Sequence, residues 1–315
     1  MSQIREFKRY NLKFKTSSKS AHGVWAEKEG LIFMEKSESG ICTFGDVGFV
    51  PGFSKHSLRD LIDEAKVWVL GRRIERYKFI KPALSCLKSD LWNQDLNHQT
   101  EVKYAKMFHD FGEINEPHLT IKKKIGLEDV KIEIKKITSW FDQMPVSTRV
   151  RLDANESLNY EKLLRWMDAL YENPKLDFIE QPLSGIPDDK LLKLVDENDF
   201  PIALDESIFE LGNPSKLLDM GWSGFFVLKP SLLEDWDETI DFIKHNANKS
   251  VVSTVYESPF GFEALSRVCR FSNLVSGVDR SIFVGNALEI ESHHSDPLLV
   301  PSASKEELEI LWDKF

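Results

Sequence analysis

The feature that most constrains this chain is a titratable residue at or near the end of each of five successive β-like segments. The segments cover residues 118–125, 146–153, 177–180, 201–205 and 224–229, and helical patterns lie between them. The titratable residues are Lys124, Asp153, Glu180, Asp205 and Lys229, at intervals of 29, 27, 25 and 24 residues. Each interval has the length of one strand, one helix and two loops. Such alternation predicts parallel strands joined by crossover helices.

A closed barrel fits this repeat better than an open sheet. Residues 251–255 add a sixth strand, and an eighth barrel strand is predicted near residues 275–280. No glycine-rich phosphate-binding motif follows any of these strands, as a doubly wound nucleotide-binding sheet would require. We therefore predict an α/β protein with a (β/α)7β-type modified TIM barrel over residues 96–284.

The N-terminal part of the chain has a different pattern. Short β-like runs over residues 12–15 and 30–36 come before a helical stretch over residues 56–70. Residues 44–54 are rich in Gly and Pro, which predicts a loop. Strands grouped before a helix predict an α+β unit. We expect an α+β capping domain over residues 1–95, joined by the C-terminal segment 285–315.

The side-chain period of two in a strand predicts which residues face the barrel mouth. Lys122 and Lys124 share the inward phase of their strand, whereas Lys123 has the outward phase. Arg151 and Asp153 share the inward phase of the next strand. The C-terminal strand ends of a barrel surround one mouth, where barrel enzymes keep their chemistry. We therefore expect the five titratable side chains to converge there.

Three carboxylates on three successive strands suit a hard divalent cation. Asp153, Glu180 and Asp205 offer oxygen ligands, for which Mg²⁺ is the default metal and Mn²⁺ a possible substitute. The lysines on either side offer a general base and an electrostatic partner. The like charge of a dication lowers the pKa of a nearby lysine, which can then act as a base near neutral pH. The residues alone leave open a second interpretation, an ion-pair network that stabilises the barrel rim.

These residues resemble the enolase superfamily and, within it, the muconate-lactonising subgroup. That pattern has Lys-x-Lys on the second barrel strand, Asp, Glu and Asp on the next three, and Lys on the sixth. It lies here at residues 122–126, 151–155, 178–182, 203–207 and 227–230. Within the subgroup the chain is similar to the o-succinylbenzoate synthase family, through residues 48–54, Arg151 and residues 253–261.

The resemblance implies the metal-dependent syn dehydration of 2-succinyl-6-hydroxy-2,4-cyclohexadiene-1-carboxylate to o-succinylbenzoate, a step of menaquinone biosynthesis. It implies that Lys124 is the acid/base, that Lys122 keeps the pKa of Lys124 low, and that Lys229 stabilises the enediolate. The metal ligands would be Asp153, Glu180 and Asp205. The residues expected to bind the substrate are Arg151, Asn155, Ser54, Ser253 and Gly277.

The sequence also departs from the family pattern. Asp46 stands where the capping motif has Glu. The loop after residues 251–255, which correspond to the seventh strand of the family's barrel, is one residue longer around residues 256–257. The Asp-x-Asp of the dipeptide epimerases is missing near residues 275–280, which argues against that activity. The alternatives are an N-succinylamino acid racemase, a muconate-type cycloisomerase, and a catalytically idle barrel used for binding.

Composition restricts the compartment and the partners. The net charge of −10 argues against nucleic-acid binding, and no stretch approaches the roughly 20 apolar residues of a membrane span. Three widely spaced cysteines and no secretory leader predict a cytoplasmic protein with reduced thiols. The expected partner is a small-molecule carboxylate substrate, and the sequence does not indicate an oligomeric state.

Overall fold

The N-terminal part of the chain folds as a three-stranded antiparallel sheet with two helices packed on it. The computed structural model describes residues 4–20, 23–50, 54, 56–72, 77–93, 102–114, 116, 119–284, 299–300 and 303–315. The sheet has the order β1-β2-β3, and Leu31 and Phe33 of β2 pack against Leu61 and Trp68 of α1. The elements are β1 (Ile4–Ser20), β2 (Gly23–Lys36), β3 (Cys42–Gly48), α1 (Leu58–Val69) and α2 (Lys81–Lys88), then a 3-10 turn (Asp90–Asn93).

The loop predicted over residues 44–54 is wrong in its first half, because β3 continues to Gly48. The glycines that suggested a loop are instead points of close approach. A Cβ atom on Gly45 would lie 2.1 Å from the carbonyl oxygen of Ala83, and one on Gly48 would lie 2.6 Å from Cε of Lys28. Glycine inside a strand commonly marks such an approach. Residues 51–53, in the second half of the predicted loop, lie outside the described residues.

The rest of the chain alternates strands and helices around a parallel sheet. After β4 (Val102–Lys103), the sheet strands are β5 (Lys106–Phe108), β6 (Thr120–Lys124), β7 (Arg149–Asp153), β8 (Leu176–Glu180), β9 (Ile202–Leu204), β10 (Phe225–Leu228) and β11 (Ser250–Val252). The helices are α3 (Val130–Gln143), α4 (Tyr160–Leu170), α5 (Asp189–Asn198), α6 (Glu206–Leu211), α7 (Ser215–Asp219), α8 (Trp236–His245) and α9 (Pro259–Cys269), with a 3-10 turn (Pro230–Leu232). The strands lie in chain order from β5 to β11, and sequence analysis did not predict β5.

A short segment closes this sheet into a barrel. Ser276 accepts a hydrogen bond from the backbone of Ala105 beside β5 at 2.7 Å, and Gly277 donates one to Val252 of β11 at 2.8 Å. The eighth strand predicted near residues 275–280 therefore lies between both edges, although it makes single-residue bridges rather than a ladder. The predicted (β/α)7β-type barrel with an α+β cap is confirmed.

Strand phases follow the predicted alternation. Ile121, Val150 and Leu152 belong to the hydrophobic core that includes the surrounding helices. A separate small cluster fills the inside of the barrel, formed by Phe178, Ala203, Val227 and Val251. This cluster fills the interior of the barrel. Inward-facing polar side chains that lie beyond it are therefore accessible to a ligand from the C-terminal ends of the strands.

The C-terminal residues lie against both parts of the chain. β12 (Leu299–Val300) pairs with β4, and α10 (Lys305–Lys314) contacts the cap through Trp312, whose indole nitrogen donates to Glu6 at 3.2 Å. On the other side, Glu263 of α9 accepts from the backbone of Ala303 at 2.8 Å. The boundaries predicted at residues 95/96 and 284/285 stay a prediction, and residues 285–298 lie outside the described residues.

None of the helices in the described parts of the chain is long and apolar enough to cross a membrane.

The ion pair between Arg267 and Glu263 gives a test of this packing. The two side chains are 2.7 Å apart and each is 3% exposed. Arg267→Met leaves a buried carboxylate uncompensated, so we expect the free energy of unfolding to fall by about 3–5 kcal/mol. The control is Arg165→Met, which breaks an exposed pair with Glu161 and should cost at most about 1 kcal/mol. Urea denaturation of both variants measures the difference, and equal costs would contradict a buried pair that holds the C-terminal segment.

Candidate active site

The titratable residues singled out in the sequence gather at the C-terminal ends of adjacent strands. Lys124 of β6 is paired in register with Asp153 of β7, and Asp153 is paired with Glu180 of β8. Asp205 follows β9 directly, and Lys229 follows β10. Consecutive strand ends therefore carry the side chains around one mouth. Because β6 and β10 are four strands apart in an eight-membered ring, Lys124 and Lys229 lie on opposite sides of that mouth.

Two lysines form ion pairs with the three carboxylates. Nζ of Lys122 lies 2.9 Å from Oδ2 of Asp153 and 2.7 Å from Oε1 of Glu180. Lys229 forms an ion pair with Asp205. All three carboxylates are buried. Because an unpaired buried carboxylate costs free energy, these ion pairs stabilise the ionised carboxylates of the mouth.

Burial and mutual repulsion shift the pKa values of the carboxyl groups. Burial raises the pKa of Glu180 to about 7 and that of Asp205 to about 6. For Asp153 the effect of burial is outweighed by the charges of Lys122 and Lys124, and its pKa is lowered. Burial leaves the negative charge of these carboxylates poorly solvated, which favours the binding of a cation.

The lysines divide into two kinds. Burial lowers the pKa of Lys122 and of Lys229, but the carboxylates beside them outweigh it, so both pKa values are raised. The pKa of Lys124 is lowered, chiefly by burial and in part by the charge of Lys122. Lys124 is therefore suited to act as a base, whereas Lys122 and Lys229 stay charged.

The donor set fits a hard divalent cation in its chemistry. Three buried carboxylates stand at neighbouring strand ends, and the Oε2 atom of the adjacent Glu206 is buried without a hydrogen-bond partner. The oxygens do not surround a common point, however: within the described residues no three His, Cys, Asp or Glu side chains are arranged to hold a metal ion. One oxygen of each carboxylate instead contacts Lys122 or Lys229.

Hydrogen bonds of one side chain hold neighbouring strand ends together. Gln181, directly after Glu180, has a left-handed backbone with φ 38° and a fully buried side chain. Its amide oxygen accepts from the backbone nitrogens of Asp205 at 2.9 Å and of Ser207 at 3.2 Å. Gln181 therefore fixes the position of Asp205 relative to Glu180. The sequence pattern at residues 178–182 includes Gln181, but the side-chain period of the strand indicated no role for it in the site.

Two residues predicted to bind substrate have clear partners within the protein. The β7–β8 register shifts by one residue, so that Asp177 accepts from Nε of Arg151 at 2.7 Å, and the Arg151 guanidinium lies over the ring of Phe178. Asn155 contacts Lys124, with its amide oxygen 2.8 Å from Nζ. Contacts of Arg151 and Asn155 with substrate stay a prediction.

The other three predicted substrate-binding residues lie at the barrel closure and at the cap. Ser253 donates to the carbonyl oxygen of Gly277 at 3.2 Å, and both belong to the segments that close the barrel. Ser54 accepts from the backbone of Val50 at 2.8 Å. Residues 51–53 and 55 lie outside the described residues. Substrate contacts of these three residues also stay a prediction.

Sequence analysis missed Glu206. The strand period directs it away from the mouth, because it follows the inward Asp205. The backbone leaves the strand geometry at Asp205, where φ is −129° and ψ is −77°, and Glu206 begins α6. Its carboxylate therefore turns back and accepts from the amide nitrogen of Asn155 at 3.1 Å. An acidic residue next to a predicted ligand is the sequence signal that could have identified it.

The outward phase of Lys123 gives a test of the register. Its ammonium donates to the carbonyl of His109 and lies over the ring of Phe111, away from the carboxylates. Lys123→Ala should lower the free energy of unfolding by about 1.5–3 kcal/mol, the cost of a lost charged hydrogen bond, and leave turnover near the wild-type rate. Lys124→Ala should lower turnover by about 10²–10⁴-fold. If Lys123→Ala were inactive and Lys124→Ala active, the assignment of inward and outward residues in β6 would be wrong by one residue.

Comparisons with known proteins agree with this geometry. The chain is 26% identical over 234 residues to an o-succinylbenzoate synthase of Thermosynechococcus vestitus, which covers 69% of this chain and 73% of that protein. It is 27% identical over 311 residues to an o-succinylbenzoate synthase of Vibrio cholerae, with 91% of each chain covered.

Solved structures share the fold. The o-succinylbenzoate synthase of Thermosynechococcus elongatus, solved with Mg in its active site, superposes with a TM-score of 0.70 at 20% identity over 99% of this chain and all of that one. An N-succinyl Arg/Lys racemase from Bacillus cereus has the same TM-score of 0.70 at 15% identity, over 99% and 98% of the two chains. Residues 105–244 match the family model described as enolase C-terminal domain-like. This match and the two curated relatives confirm the predicted resemblance to the enolase superfamily.

Proposed function

We propose that this protein is an o-succinylbenzoate synthase of the cytoplasm that dehydrates 2-succinyl-6-hydroxy-2,4-cyclohexadiene-1-carboxylate in menaquinone biosynthesis. The observation that carries the proposal is the mouth itself, with three buried carboxylates between a lysine of lowered pKa and a charged lysine across the ring. The two synthases, which match 69% and 91% of this chain, support this substrate over others.

A bound metal would supply part of the charge that the reaction needs. Asp153, Glu180 and Asp205 are the residues that would hold Mg²⁺, which supplies positive charge to stabilise the anion formed when a proton leaves the carbon next to a carboxylate. Lys229 would stay protonated and add a second positive charge on the other face. Its ion pair with Asp205 keeps it charged at neutral pH.

Lys124 would move the proton twice. Its neutral amine takes the proton from the ring carbon that bears the carboxylate, which breaks the C–H bond. The resulting ammonium then gives a proton to the departing hydroxyl, so that the C–O bond breaks, water leaves and the ring becomes aromatic. One group can serve both steps because a syn elimination places both bonds on the same face. The lowered pKa of Lys124 supports the first step.

The cap would exclude water from the mouth. Tyr256, after β11, packs against Phe14 of β1 at 5.3 Å and Trp25 of β2 at 6.2 Å between ring centroids. Phe283 completes this aromatic cluster at 6.0 Å from Tyr256. An apolar wall beside a charged site strengthens the electrostatic interactions within it, because less water screens them.

Racemisation of N-succinylamino acids is the second candidate. It needs a base on each face of the substrate, and Lys124 and Lys229 on opposite sides of the mouth provide two amines. Their pKa values shift in opposite directions in this structure. A racemase removes the α-proton from either face, so each amine must serve as the base in turn, and the raised pKa of Lys229 disfavours it in that role. This supports a single acid/base and therefore dehydration.

Metal removal gives the first test of the function. EDTA should abolish dehydration and Mg²⁺ should restore it, measured by the absorbance of the aromatic product. Because Glu180 has a pKa of about 7 and Asp205 of about 6, both must lose protons when a cation binds. Calorimetric affinity for Mg²⁺ should therefore rise as the pH is raised from 6 to 8. Full turnover after exhaustive chelation would refute the metal assignment.

Substrate choice gives the second test. We expect kcat/KM for dehydration to exceed that for racemisation of N-succinylamino acids on one preparation. Lys124→Ala should lose both dehydration and exchange of the α-proton with deuterated water, by about 10²–10⁴-fold. Lys193→Ala is the matched control, since Lys193 is an exposed lysine on the outer face of the barrel. A higher efficiency for racemisation would reverse the order of the two functions.

A further inference from the structure

A chain of hydrogen bonds connects the proposed base to a carboxylate that is outside the three-strand ligand pattern. Nζ of Lys124 donates to Oδ1 of Asn155 at 2.8 Å, and Nδ2 of Asn155 donates to Oε1 of Glu206 at 3.1 Å. The backbone nitrogen of Asn155 also donates to Oδ1 of Asp153 at 3.1 Å. Asn155 is thus held at three points, from β7, from α6 and from the lysine.

The chemistry of these groups determines which way the amide faces. An ionised carboxylate can only accept hydrogen bonds and a lysine Nζ donates them, whereas an asparagine side chain has one end of each kind. With its NH₂ group on Glu206, Asn155 must present its oxygen to Lys124. Without that acceptor the amide could turn and place its NH₂ group against the lysine. Glu206 therefore fixes the Asn155 amide with its oxygen, a hydrogen-bond acceptor, toward Lys124.

The backbone of Asn155 has a conformation that is uncommon outside glycine, although asparagine adopts it more readily than most residues. Its φ is 41°, in the left-handed region that non-glycine residues seldom adopt. Such a conformation persists where the surroundings over-determine it, commonly at active sites. This conformation holds the amide between Lys124 of β6 and Glu206 of α6.

We propose that Asn155 and Glu206 form a positioning pair that orients the amine of Lys124 toward the reacting carbon, and that Asn155 acts through Lys124 rather than by binding substrate. The inference rests on the proposed function to the extent that Lys124 is the base. A lysine carries its amine on a flexible four-carbon stem, so its position must be fixed by a partner. A small misplacement of a reacting group can cost about 10²-fold in rate.

Kinetics of single variants test the pair. Asn155→Ala should lower kcat for dehydration by about 10²-fold with KM near the wild-type value, because substrate binding is untouched. Asn155→Gly, which tolerates the positive φ, repeats the test if the alanine variant does not fold. The control is Asn159→Ala in the same loop, whose side chain caps α4 by accepting from Lys162; its kcat should not change. A raised KM with unchanged kcat would make Asn155 a substrate ligand and overturn the proposal.

A double-mutant cycle separates the pair from two independent effects. Glu206→Ala should lower kcat, whereas Glu206→Gln should retain far more activity, because its amide oxygen can still accept from Asn155. The variant with both Asn155→Ala and Glu206→Ala should be no slower than Asn155→Ala alone. Additive losses would show that Glu206 acts separately. A loss of Mg²⁺ affinity in Glu206→Ala, measured by calorimetry, would make it a metal ligand and also overturn the pair.

A readout without substrate distinguishes failure of this inference from failure of the proposed function. Lysine acetylation by acetic anhydride, followed by mass spectrometry, should rise severalfold at Lys124 in Asn155→Ala and stay unchanged at Lys229. If the wild-type protein does not dehydrate the cyclohexadiene, the proposed function fails while this result still supports the orientation of Lys124. An unchanged acetylation rate at Lys124 would refute the positioning role whatever the substrate.

Discussion

Negative charge at the C-terminal end of the barrel dominates the energetics of this protein. Three carboxylates on consecutive strand ends are buried, and each would be costly without compensation. Lys122 and Lys229 supply that compensation, and their own burial is tolerable because of the same contacts. One amine is treated differently. Lys124 faces an amide oxygen, and its pKa is lowered where those of the other two lysines are raised. The mouth thus contains two permanent positive charges and one amine that can accept a proton.

This arrangement is held by backbone conformations that few residues adopt. Left-handed φ values at non-glycine residues follow three of the barrel strands, at Asn155, Glu156, Gln181 and Tyr256. These residues lie one to four positions beyond the last residue of their strand, where the chain turns toward the next helix. Hydrogen bonds offset the strain, as in the contacts of Gln181 with the backbone of Asp205 and Ser207. Strain of this kind concentrates at functional sites.

The cap is joined to the barrel by buried polar groups. Asp46 of β3 accepts from Tyr10 of β1 at 3.0 Å and from the backbone of Ser258, before α9, at 2.9 Å. Burial raises the pKa of Asp46 to about 6 and lowers that of Lys28 to about 8. A Cβ atom on Gly261 would lie 2.5 Å from Cβ of Asp46. This close approach of β3 to α9 leaves no room for a side chain at Gly261.

The sequence by itself determined the repeat of strands and helices, the barrel, and the positions of Asp153, Glu180 and Asp205, because side-chain period and spacing are local properties of the chain. The tertiary structure decided what those side chains contact. Glu206 has the outward phase by sequence and yet meets Asn155, since the backbone turns out of the strand at Asp205. β3 forms through glycines that predicted a loop, because α2 packs closely on it. Contacts across the barrel depend on loop geometry and on packing between distant segments, which no periodicity in the sequence records.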